Sequence, residues 1–316
     1  MNRNIVLVFL LLIAAVSTAQ KQITVEDIYG RGVFRQASVR GINWMNDGRY
    51  YSAQQGNDIV KYDVTTGQIV ETILKGSDLN PAISFVNYSF SADEKKLLLM
   101  TSRESIYRRS YKAEFYVYDL GAKSLSKLSN NGKQSYATFS PDGSKVAFAR
   151  DNNLFYVTLS NMKEVAVTED GVFNKIINGS TDWVTEEELS FTKAFEWSGD
   201  GNTILYLTFN ESGVREYNLQ KWNNGQLYPE DYKFKYPKAG EDNAKIKATI
   251  FDLSTSGKTP VDLDISEEFY LARVRTTKSP STFSLVKLNR LQNQMDIVHV
   301  DAKTGKSSVI LTEKND

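Results

Sequence analysis

Cysteine is missing from all 316 residues, which excludes a disulfide framework, a thiolate metal site and a lipid anchor on an amino-terminal cysteine. Histidine is almost missing too. His299 stands alone in the alternating run Asp296-Ile297-Val298-His299-Val300, which reads as a strand with a packed or half-exposed imidazole. A histidine metal site or a Ser-His relay needs more partners than one such residue supplies. There is no excess charge of either sign, since 38 basic side chains face 38 acidic ones. A balanced chain of pI about 6.7 argues against nucleic acid or an anionic membrane as a partner held by bulk electrostatics. No hydrophobic run is long enough to span a bilayer comfortably. The longest, Ile5 to Val16, follows Arg3 and precedes Ser17-Thr18-Ala19, the pattern of a cleavable signal peptide over residues 1–19. Cleavage after Ala19 would export the chain to a periplasm or the cell exterior and leave no membrane anchor.

What the chain does have is a repeat. Trp44-Met45-Asn46-Asp47-Gly48, Phe90-Ser91-Ala92-Asp93-Glu94, Phe139-Ser140-Pro141-Asp142-Gly143 and Trp197-Ser198-Gly199-Asp200-Gly201 share one pattern, with aromatic starts 46, 49 and 58 residues apart. An apolar strand follows each. A second motif closes most units, as in Tyr62-Asp63-Val64-Thr65-Thr66-Gly67, Phe251-Asp252-Leu253 and Val300-Asp301-Ala302-Lys303-Thr304-Gly305. Asp-Gly tolerates the positive φ of a tight turn, and the leading aromatic can fill the space between neighbouring sheets. A period near fifty residues with four short strands per unit predicts an all-β fold, a β-propeller, over residues 20–316. About five units are present, so the propeller is expected to be incomplete, with bare sheet faces. Two units carry insertions. One holds Ser105-Ile106-Tyr107-Arg108-Arg109-Ser110-Tyr111; the other, longer and following Trp197, includes the stretch from Tyr228 to Gly240, whose alternating aromatic and charged residues suggest an extended two-stranded arm.

The nine residues Asp182-Trp183-Val184-Thr185-Glu186-Glu187-Glu188-Leu189-Ser190 are the most informative in the chain. Three consecutive carboxylates repel one another, and apolar anchors on both sides could pin a short helical turn that converges two of them on a cation. Paired carboxylates suit the three donors of a free amino terminus.

Together with the Tyr107-Arg108-Arg109-Ser110-Tyr111 and Tyr236-Pro237-Lys238-Ala239-Gly240 motifs, this segment resembles the propeller of the dipeptidyl peptidase IV family, in its Bacteroidetes form. The resemblance covers residues 22 to 316. It implies that Glu187 and Glu188 bind the α-ammonium of a peptide substrate. It puts the arginine that holds the carbonyl of the substrate's first peptide unit on Arg108, with Arg109 one place on as the alternative. It further implies a homodimer through the arm around Tyr228–Gly240, no cofactor, and release of amino-terminal X-Pro or X-Ala dipeptides. Catalysis in that family belongs to an α/β-hydrolase domain with a Gly-x-Ser-x-Gly elbow, which this sequence lacks. The expectation is therefore a substrate-recognition piece of an exported serine peptidase, inactive alone. The other reading that stays open is a non-catalytic secreted propeller that binds peptides or proteins.

Overall fold

The computed structural model describes residues 22–36 and 41–315; the expected signal peptide lies outside them. Residues 22–36 contain one short helical turn, Glu26–Gly30. Among the described residues no helix is long and apolar enough to cross a membrane.

Residues 41–315 form five consecutive antiparallel sheets, the blades of a β-propeller. The first contains β1 (Asn43–Trp44), β2 (Tyr50–Gln55), β3 (Asp58–Asp63) and β4 (Ile69–Leu74), and the second β5 (Asn87–Phe90), β6 (Lys96–Ser105), β7 (Tyr111–Asp119) and β8 (Ser124–Lys127). The third contains β9 (Ser135–Phe139), β10 (Lys145–Arg150), β11 (Asn153–Thr158) and β12 (Lys163–Ala166). The fourth opens with β13 (Ile176–Asn178), a short helix α1 (Trp183–Leu189), β14 (Phe195–Trp197) and β15 (Thr203–Asn210). A hairpin arm of β16 (Glu216–Lys221) and β17 (Glu230–Lys235) then leaves the sheet, which resumes with β18 (Lys245–Asp252) and β19 (Lys258–Pro260). The fifth contains β20 (Phe269–Thr276), β21 (Thr282–Asn289), β22 (Gln294–Asp301) and β23 (Ser307–Lys314). His299 is half-buried in β22.

Successive side chains of a strand point to opposite faces, and here both faces are covered. On β6, Leu97 and Leu99 join the core against the first sheet, while Leu98 and Met100 join the core against the third. On β15, Ile204 and Tyr206 face the third sheet and Leu205, Leu207 and Phe209 the fifth. Burial on both sides is why these strands read as unbroken apolar runs rather than alternating ones. Four cores therefore lie between five sheets.

The repeat motif is a turn device. In three blades a buried serine, Ser91, Ser140 or Ser198, donates to the aspartate two places on at 2.5–2.6 Å. The same oxygen accepts the N–H of Lys96, Lys145 or Thr203 at 2.9–3.0 Å. Gly143 and Gly201 take φ of +65° and +72° in these turns, and Glu94 adopts +57° where glycine is missing. The leading aromatics follow expectation in part. Trp197 is buried against Tyr156 of the preceding blade, whereas Trp44 is exposed and touches only Tyr51 among the described rings. It belongs to the first sheet, and no preceding blade lies among the described residues to cover it.

Candidate functional site

Helix α1 begins where Asp182, in extended backbone, accepts the N–H of Thr185 at 3.0 Å and so caps the first turn. It ends at Ser190 in the left-handed region (φ +53°). A seven-residue helix has too little internal bonding to stand alone; three other parts of the fold hold it.

The first is the insertion of the second blade. Glu186 is 2% exposed, and its Oε1 accepts the backbone N–H groups of Arg109 and Ser110, each at 2.8 Å. Arg109 in turn donates from Nη1 to the Glu186 carbonyl at 3.4 Å. The second is the arm. The Trp183 ring lies 4.2 Å from that of Tyr236 and 6.4 Å from that of Phe234, and Tyr107 meets Tyr232 hydroxyl to hydroxyl at 3.3 Å. The third is the fifth blade, where Arg273 Nη1 donates to the Leu189 carbonyl at 2.7 Å. Cationic donors suit the unpaired carbonyls at a helix C-terminus.

The acidic triplet is thereby divided. Residues along a helix are about 100° apart, so three neighbours cannot share one direction. Glu186 points inward to the Arg109–Ser110 turn. Glu187 meets Arg108, Nε to Oε2 at 3.2 Å, with its side chain 13% exposed against 72% for the arginine. Glu188 is exposed and lines a cavity of about 860 Å³ with Trp183, Leu189, Tyr236, Tyr270 and Arg290. Of the residues singled out in the sequence, the structure brings Arg108 and Glu187 into contact. It gives Glu188 no recorded bond to either, and it assigns Arg109 to Glu186. Sequence reading missed Glu186 as the structural member of the triplet and Arg273 as the clamp on the helix end. The position of Glu186, directly after the capping turn, was the only available hint for the first; nothing in the sequence pointed to the second.

A second cavity of about 450 Å³ lies across α1, where Glu186 and Trp183 form part of the wall together with Tyr107, Tyr136, Tyr232 and Glu211. Burial, with the field of Asp182 behind it, pushes the Glu211 carboxyl up to about 7, against the opposing pull of Lys235. Burial likewise raises Asp182.

Antiparallel blades, one of which carries a short acidic helix pinned between an arginine-bearing turn and an aromatic arm, define a β-propeller with an elaborated fourth blade. The chain belongs to the family of the dipeptidyl peptidase IV (DPP IV) N-terminal region, whose model matches residues 91–316. It is similar to the crystal structure of Porphyromonas gingivalis dipeptidyl peptidase 4, with a TM-score of 0.89 and 36% identity over 95% of this chain and 43% of that one. It is 30% identical to dipeptidyl peptidase 4 of Trichophyton rubrum over 87% of this chain and 36% of that protein. It is also 30% identical to human prolyl endopeptidase FAP over 79% of this chain. The chain thus spans little more than a third of the curated relatives it matches, 36% and 34% of these two.

Proposed function

We propose that this chain is the substrate-recognition propeller of an exported serine dipeptidyl peptidase, which receives the free amino terminus of a peptide at Glu187 and Glu188. The observation that carries this reading is the ion pair of Glu187 with Arg108 at 3.2 Å, on a helix fixed from three sides. A carboxylate already oriented by a guanidinium loses little freedom when an ammonium arrives. Arg108 keeps donors free for a peptide carbonyl, since only its Nε is recorded in the pair. Glu188, on the cavity side of the same helix, supplies the second acceptor by a change of side-chain rotamer. Hydrolysis belongs in this reading to an α/β-hydrolase domain that acts together with the propeller, and dimerisation to the arm, whose tip carries exposed Trp222, Leu227 and Tyr228.

The test is binding of a Gly-Pro peptide to the full chain by calorimetry, with its N-acetylated form beside it. Acetylation removes the ammonium and leaves acceptors unpaired, so it should weaken binding about tenfold or more. Glu187→Gln and Glu188→Gln should each produce a loss of the same order. Equal affinity for free and acetylated peptides would sink the reading.

A further inference from the structure

The 450 Å³ cavity on the far side of α1 contains a group that the peptide-binding reading does not use. Glu211 is 5% exposed, lines this cavity, and makes no side-chain hydrogen bond or ion pair with any described residue. The other charged groups around it are engaged or open to solvent. Lys112 and Lys133 both pair with Glu104, and Arg150 pairs with Glu164 at 2.6 Å. Lys235 donates to the Val214 carbonyl at 2.7 Å, Glu186 accepts from the Arg109–Ser110 turn, and Asp151 is exposed. Asp182, whose field reaches Glu211, is committed to its helix cap. Tyr107 and Tyr232 share one hydrogen bond.

A buried carboxylate without a donor is costly, and a fold that keeps one holds it protonated or supplies a cation. Part of the cavity wall is aromatic, with Tyr107, Tyr136, Phe173, Trp183 and Tyr232 beside the polar and charged side chains already named. Ring faces attract a desolvated cation and exclude water, and the volume is that of a small-molecule site. The described residues gather no cluster of three His, Cys, Asp or Glu side chains suited to a metal ion. Among the charged groups that line the cavity, Glu211 is the buried one whose side chain is unbonded, and beside these rings it suits an organic ammonium, which brings three donors of its own.

We propose that this cavity is a second cation site, separate from Glu187 and Glu188, in which Glu211 binds the ammonium group of a small organic amine between aromatic rings. The amine occupies the side of α1 formed by Glu186 and Trp183, so its binding braces the helix that presents Glu187. The site stands on Glu211 and its cavity alone and does not depend on the peptide reading.

The experiment is calorimetric titration of the full chain with n-butylammonium chloride, with n-butanol and potassium chloride as comparison solutes. Because Glu211 titrates at about 7, binding should release protons at pH 7 and weaken about tenfold for each pH unit below that. Glu211→Gln should weaken binding about tenfold or more, whereas the Glu187→Gln/Glu188→Gln double variant should retain the proton-linked binding. The same double variant should fail to bind the Gly-Pro peptide if the proposed function holds, so the two ideas fail separately. The cation site is overturned if butylammonium shows no saturable, proton-linked binding to the unmodified chain, a result that needs no variant to fold. It is also overturned if butanol or potassium ion binds equally well, or if a folded Glu211→Gln chain binds without loss.

Discussion

Adjacent glutamates on one helix do different work because the helix turns them apart. Glu186 is a structural acceptor, and its loss would strand two backbone N–H groups in a dry place. Glu186→Ala should therefore destabilise the fold by about 2–4 kcal/mol, read as a drop in the denaturation midpoint. Arg108→Ala, at an exposed guanidinium, should change stability by less than about 1 kcal/mol while weakening peptide binding. Glu211 gives a further residue-scale expectation. Its carboxyl titrates at about 7 when folded and at about 4.3 when unfolded. The native state then holds a proton that the unfolded chain has released, so stability falls as pH rises from about 4 to about 7 and levels off beyond. Chemical denaturation of Glu211→Gln beside the unmodified chain should show that slope reduced in the variant; parallel curves would refute the assignment.

At the scale of elements, the blade turns and the strand-closing aspartates are one solution used repeatedly. Ser198 both donates and accepts inside its turn, so Ser198→Ala should cost about 1–2 kcal/mol. Asp63 and Asp252 each collect backbone and hydroxyl donors from the next residues. Those bonds, led by the Thr65 and Ser254 hydroxyls, hold both carboxyls down at about 2. For such lowered groups the contribution is present above the unfolded value near 3.9 and is lost as pH falls toward 2. Acid unfolding should accordingly concentrate between about pH 4 and 2, and Asp63→Asn should blunt it. The arm and α1 form a coupled pair through Trp183 and Tyr236. Removing the ring in Trp183→Ala should free the arm, seen as faster limited proteolysis between residues 221 and 230 with the blade cores still protected.

For the molecule as a whole, each sheet between two others is buried on both faces, while the first and fifth have one neighbour each among the described residues. Trp44, Ile69 and Val70 on the first and Val309, Ile310 and Leu311 on the fifth are exposed. Together with the arm tip, this is more apolar surface than an isolated soluble chain usually presents. The 316-residue chain on its own should self-associate, with light scattering that rises with concentration. If the arm is the homodimer contact, Leu227→Asp should lower the sedimenting mass by one association step without changing the circular dichroism of the blades.

The spacing of four aromatic-led turns, with the closing motif at Val300–Gly305 for the fifth unit, was enough to indicate the blades and their approximate number, because each turn is built from residues within six positions of one another. The arm was legible only in part: the alternating aromatics from Tyr228 to Gly240 mark its second strand, whereas the first, Glu216–Lys221, lies before that stretch. The acidic helix could be placed from its apolar anchors, for the same local reason. Which glutamate faces inward was not legible. It depends on where an insertion more than seventy residues away lays its backbone N–H groups, and on the rotation of α1 fixed by Arg273 and Trp183. The amphipathic cavity around Glu211 was hidden for a related cause: an acid on a loop after a strand looks solvated until the arm folds over it. Local chemistry determined the elements; only long-range packing decided which charges water no longer reaches.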